Sequence, residues 1–208
     1  MPIHVPVRSA TPDDHRHIAA LLAAAFAPGP IGQWFSNDTA LRAAYTRAFF
    51  DRVVSSAIVN PRALVHITED GSAVAIWYDH RDEHIVEPVG YDTEFTPLDD
   101  DPVAARRLAL LHAMLTGIHT TAAHFHLGYL AVEPSRQNRH LSDTMLRYQH
   151  PFLDLTATPA YTVAHTAIDL TVLHRHGYVI NRPTRSHDGL QIWPAWRPPH
   201  PRAVPSQR

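Results

Sequence analysis

Apolar positions recur along the chain with two periods, and the periods change at recognisable punctuation. Val5-Pro6-Val7-Arg8 predicts a first strand, and Thr11 or Asp13 can cap the helix that follows. In that helix Ile18, Leu21, Leu22, Ala25 and Phe26 share a face, and Pro28-Gly29-Pro30 ends it. A second helical region runs from Leu41 to Val59, with Tyr45, Phe49, Phe50, Val53 and Val54 apolar. Residues 63–68 and 73–78 alternate around Asp70-Gly71 and predict a hairpin. Residues 79–102 are acidic and proline-bearing, have no period, and read as a loop or lid. Beyond them come a helix over 103–118, a strand over 124–132 and a helix over 142–152. A strand over 161–165 and a helix over 168–176, closed by Gly177, lead into final strands at 178–180 and 190–193.

Strands alternating with helices predict an α/β (α+β) fold. The length of 208 residues fits a single domain over residues 1–200, followed by a loose proline-rich tail at 201–208. A formal net charge of −2 gives no basis for a polyanion partner, so no nucleic acid is expected. No apolar run approaches membrane-spanning length and Met1-Pro2-Ile3-His4 is not a signal peptide, which predicts a cytoplasmic protein without a membrane partner. Cysteine and lysine are both absent, which removes thiolate metal sites, cysteine nucleophiles and Schiff-base chemistry. Most of the 17 histidines are expected to fill ordinary surface positions, with two or three lining a pocket as acids or bases.

Two segments carry candidate chemistry. Gln137-Asn138-Arg139-His140-Leu141-Ser142 lies between a predicted strand and a predicted helix, where free backbone N–H groups and the helix dipole favour an anion. His124 and His126 stand two apart on a predicted strand and so share a face, suited to moving a proton or stabilising an oxyanion. Spacing offers no third ligand beside them, so no metal is expected. His165 ends the next strand, and Asp79, Asp82 and Glu83 read chiefly as a solvated charge run.

The order of elements over roughly residues 5–197 resembles the GNAT (GCN5-related N-acetyltransferase) family, which implies a mixed central sheet flanked by helices. Specific stretches support it: Arg8-Ser9-Ala10-Thr11-Pro12-Asp13-Asp14, His124 through Pro134, Arg175-His176-Gly177-Tyr178 and Trp193-Pro194-Ala195-Trp196-Arg197. They are similar to a puromycin-acetyltransferase-like branch common in actinobacteria. The resemblance implies that backbone groups of Leu130 and Val132 orient an acyl thioester. It also implies that Gln137, Asn138, Arg139, His140 and Ser142 form the pyrophosphate loop, and that Trp34, Trp77, Tyr78 and Tyr129 border the acceptor pocket. It places His124 and His126 on the strand that opens to admit the acyl group, with His165 facing the same cavity.

The sequence departs from the family at its working positions. Asn138, His140 and Ser142 occupy positions where the family's loop carries glycine, and Leu173 stands where the family often has a proton-donating tyrosine. These departures favour a GNAT-fold enzyme of bacterial specialised metabolism that works without a cofactor. Its expected chemistry is acid/base catalysis by His124, His126 or His165 on a small molecule, of the cyclisation, isomerisation or elimination type. The alternative is a transferase that uses acetyl-CoA or another acyl-CoA to acylate a small amine. A non-catalytic binding protein is the weaker third choice. Either a monomer or a homodimer is compatible with the resemblance.

Overall fold

A computed structural model describes residues 5–82, 101–137 and 140–200. Eight strands form one sheet in the order β1-β2-β3-β4-β5-β8-β6, with β7 paired to β8 off that path. The strands are β1 (Val7–Ser9), β2 (Ala63–Thr68), β3 (Ala73–His80), β4 (His124–Val132), β5 (Ala160–Ala164), β6 (Val179–Ile180), β7 (Thr184–Arg185) and β8 (Gln191–Arg197). The helices are α1 (His15–Phe26), α2 (Pro30–Phe35), α3 (Thr39–Val59), α4 (Pro102–Ile118), α5 (Leu141–Leu155) and α6 (Ala167–Arg175). Among the described residues no helix is long and apolar enough to cross a membrane.

The sheet separates two apolar layers. On one face Val65, Ile67, Val74 and Ile76 pack with Ile18 and Leu22 of α1 and with Phe50, Val53 and Val54 of α3. On the other, Ala73, Ala75 and Trp77 pack with Met145, Leu146 and Leu153 of α5. The alternation of β3 therefore feeds both cores, which is why nearly every residue of this central strand is buried. The Asp70-Gly71 turn joins β2 to β3 as expected, with Gly71 at a φ of 71°. Gly177 likewise closes α6 at a φ of 80°.

α2 is the element that the pattern of the sequence does not announce. Pro30 occupies its first turn, where a missing N–H costs nothing, and Gly29 precedes it in extended conformation. Gly32 lets this short helix press against the end of α1: a Cβ there would lie 2.3 Å from the Ala27 carbonyl oxygen. Pro28-Gly29-Pro30 thus ends one helix and starts another.

Candidate active site

The site begins with one extra residue in β4. Trp77 is paired with Leu127 but the neighbouring Ile76 with Tyr129, so Gly128 bulges out of the ladder. A Cβ on Gly128 would stand 2.7 Å from Cε2 of Tyr78, and glycine therefore makes room for that ring. The bulge reverses the alternation of the strand. Phe125 and Leu127 belong to the α5 side, whereas Tyr129 and Ala131 belong to the α1/α3 side. Tyr129 thereby joins His126 on the face from which strict alternation would have excluded it.

Beyond the bulge the sheet opens. β4 pairs with the parallel β5 only over Phe125–Leu127 against Ala160–Thr162, with Thr162 Oγ1 donating to the Leu127 carbonyl at 2.8 Å. Past Leu127 no strand among the described residues continues that edge of β4. A cavity of about 450 Å³ occupies the opening. Its wall includes His126, Tyr78 and Tyr129 from the sheet, His165 and Leu173 beyond β5, and Ser142 in the first turn of α5.

His165 and Asp169 form the clearest acid/base unit on that wall. Asp169 accepts from the backbone N–H groups of His165 and Thr166 at 3.2 and 3.0 Å, which fixes its carboxylate at the start of α6. His165 Nδ1 lies 3.3 Å from Asp169 Oδ2, without hydrogen-bond alignment, and its ring meets Phe26 edge-on. Burial lowers the His165 pKa and the Asp169 charge opposes that effect. The ring is therefore neutral near pH 7, free to accept a proton, with a carboxylate beside it to stabilise the charged form.

His126 also lines the cavity, and burial, together with His119, His80 and His124, pushes its pKa well down. His124 does not reach the cavity wall. It stacks on His80, its direct cross-strand partner, at 5.2 Å between centroids, with His119 at 5.1 Å. The structure thus brings two further imidazoles to a pair that spacing alone left isolated.

Several expected site residues lie elsewhere. Trp77 is fully buried on the opposite face, against His150, because a regular β3 turns adjacent side chains to opposite sides. Trp34 packs with Leu111, Met114 and Ile192 and lies beneath Arg107, leaving Ile31 as the α2 residue that reaches the cavity. Asp79 and Asp82 pair with Arg81 and Arg62, as a solvated charge run would. Leu130 lines the cavity, but Val132 packs against the α5 core and Gln137 is exposed. Asn138, Arg139 and Glu83 lie outside the described residues.

His140 precedes α5 in left-handed conformation, at a φ of 59° and a ψ of 22°. Its ring is not part of the cavity wall, and Nδ1 lies 3.0 Å from Asp143 Oδ2. His176 Nε2 and Arg175 Nη2 reach the same buried carboxylate at 2.8 and 3.1 Å. Burial pushes Asp143 up, but these hydrogen bonds and the Arg175 charge outweigh it and hold the group below the usual carboxylate range.

The sequence matches no protein-family model and no curated protein. Solved structures do match. A protein from Corynebacterium glutamicum described as histone acetyltransferase HPA2 and related acetyltransferase is 19% identical, with a TM-score of 0.67 over 99% of this chain and 100% of that one. The chain has the GNAT fold. A Drosophila melanogaster polyamine N-acetyltransferase aligns at 15% identity and a TM-score of 0.62, covering 94% of this chain and 100% of its own. PaiA N-acetyltransferase from Thermoplasma acidophilum, solved with coenzyme A, aligns at 7% identity and a TM-score of 0.57, covering 94% and 99%. Leu173 is buried and lines the cavity.

Proposed function

We propose that this chain is an acyl-CoA-dependent N-acyltransferase acting on a small-molecule amine. The observation that carries the reading is the unpaired edge of β4 along a cavity that runs to the first turn of α5. The residues present fit such a cofactor. Backbone groups of Leu130 on the open edge suit the amides of a pantetheine arm, and Leu127, Val172 and Leu173 supply an apolar lining. The left-handed backbone at His140 gives this position the conformation that glycine usually supplies, so the loop can keep its path without glycine. The neighbours named as N-acetyltransferases, one of them a coenzyme A complex, support the same choice.

When bound, acyl-CoA supplies a thioester-activated acyl group. His165 accepts the proton that an attacking amine releases, and Asp169 stabilises the resulting charge. His126, Tyr78 and Tyr129 form the wall on the sheet side and limit the size of the amine. Leu173 holds no proton to give, so the thiolate released as the C–S bond breaks would take its proton from solvent. That last feature also favours a second reading, acid/base catalysis by the same histidines without any acyl donor.

Calorimetry with acetyl-CoA and an assay of free thiol over a panel of small amines separate the two. Micromolar binding, weakened by Ser142→Phe and accompanied by thiol release, is the expected result. A chain that binds no acyl-CoA and releases no thiol would overturn the proposal in favour of the second reading.

A further inference from the structure

Beyond the acyl-transfer reading, and independent of it, the fold builds a histidine cluster that no step above requires. His80 ends β3, His119 follows the last turn of α4, and His124 begins β4. One ring nitrogen from each comes within 4.8 Å of the others. His80 and His124 are buried and His119 is half-buried, and His119 and His124 each keep one buried ring nitrogen without a partner among the described residues.

The free nitrogens are of the right kind. His124 Nδ1 lies 2.6 Å from the Ala122 carbonyl oxygen, which can only accept, so Nδ1 carries the hydrogen and Nε2 presents its lone pair. That Nε2 is buried and has no partner among the described residues. His119 is held through the Thr120 backbone, and its buried Nε2 is likewise unpartnered. A backbone carbonyl on the far nitrogen is the arrangement that orients histidine ligands toward a metal.

We propose that His80, His119 and His124 bind one divalent transition-metal ion of the zinc class, with its fourth coordination position open beside the cavity. Tetrahedral ligation at zinc–nitrogen distances near 2.0 Å sets ligand nitrogens roughly 3.4 Å apart, so modest rotations of these side chains close the site. Two of the three ligands sit on paired strands and the third caps α4, whose last carbonyl, at Ile118, is tied to Tyr161 Oη at 2.9 Å. His119 lines the cavity, and His126, with its own buried and unpartnered Nδ1, centres 5.3 Å from it. The open position therefore faces the wall that also carries His126. Soft thiolate metals are disfavoured in a cysteine-free chain, whereas imidazole suits zinc, cobalt and nickel.

The test uses the full chain, stripped with a chelator and titrated with Co²⁺ and Zn²⁺. One equivalent of Co²⁺ should give the visible absorption of a tetrahedral nitrogen site, and Zn²⁺ should displace it and raise the melting temperature. His80→Gln and His119→Gln should each weaken binding more than about tenfold, since losing even an outer-shell partner of a zinc ligand has that effect. His174→Gln, on the exposed side of α6, should leave it unchanged. Circular dichroism of the metal-free variants checks that they fold, and His119 is the safer of the two because it is only half-buried. Absence of one-equivalent binding overturns the proposal. Binding that survives both substitutions also overturns it, placing the ion on other histidines.

Discussion

His140 keeps its backbone in the left-handed region while its ring sits 3.0 Å from the buried Asp143 carboxylate. A side-chain anchor thus holds a conformation that L-residues avoid. The position tolerates histidine because a polar ring can bond locally, and glycine because it has no Cβ to clash.

His140→Gly should therefore leave stability within about 1 kcal/mol, strain relief offsetting the lost contact. His140→Val should destabilise by about 2 kcal/mol, having neither advantage. Urea unfolding of the two variants checks the contrast. Equal losses would show that the left-handed backbone carries no cost here.

Gly128→Ala should destabilise by about 1–3 kcal/mol through overpacking, because the new methyl meets the Tyr78 ring 2.7 Å away. Adding Tyr78→Leu to that variant should recover most of the loss, since the clash is with the ring rather than with backbone. A double-mutant cycle measured by chemical denaturation gives the coupling directly.

His66 and His150 make the protein acid-sensitive. Burial lowers His66 to about 4. Burial first, then the charges of Arg197 and His176, lower His150 to about 3. The unfolded chain takes up these protons near pH 6.5, before the folded state does, so stability is full above that pH and falls as the pH drops toward 4. The loss attributable to His66 is about 3 kcal/mol at its limit. His66→Phe keeps the edge contact with Tyr148 and should flatten the acid side of a stability-against-pH curve.

His165→Ala should lower the acyl-transfer rate constant by about 10²–10⁴, the range for losing a general base. Asp169→Asn should lower it less and should move the acid limb of the kcat/KM profile down in pH, because Asp169 supports the protonated ring. Leu173→Tyr supplies the missing proton donor and should raise kcat at least about tenfold with little change in KM. Steady-state kinetics over a pH series checks all three.

Much of the architecture was legible because it rests on local rules. The strand over His124–Val132, the Asp70-Gly71 turn and the Gly177 cap follow from period and from glycine conformations. The face of Tyr129 was not legible from alternation alone, because the bulge that sets it answers to the Tyr78 ring on another strand. Nor was the histidine cluster. His80 falls at the start of an acidic stretch that reads as loop, and His119 follows a helix end, so only pairing across β3 and β4 brings them to His124. Trp34 and Trp77 were placed by kinship with acceptor-pocket positions, whereas local packing of α2 and the alternation of β3 decide where they point.

Asp143 has a mechanical consequence. It sits in the first turn of α5, yet two of its three partners, Arg175 and His176, come from the far end of α6. A single carboxylate therefore rivets together the two helices that carry Ser142 and Asp169, which makes that side of the cleft one rigid jaw.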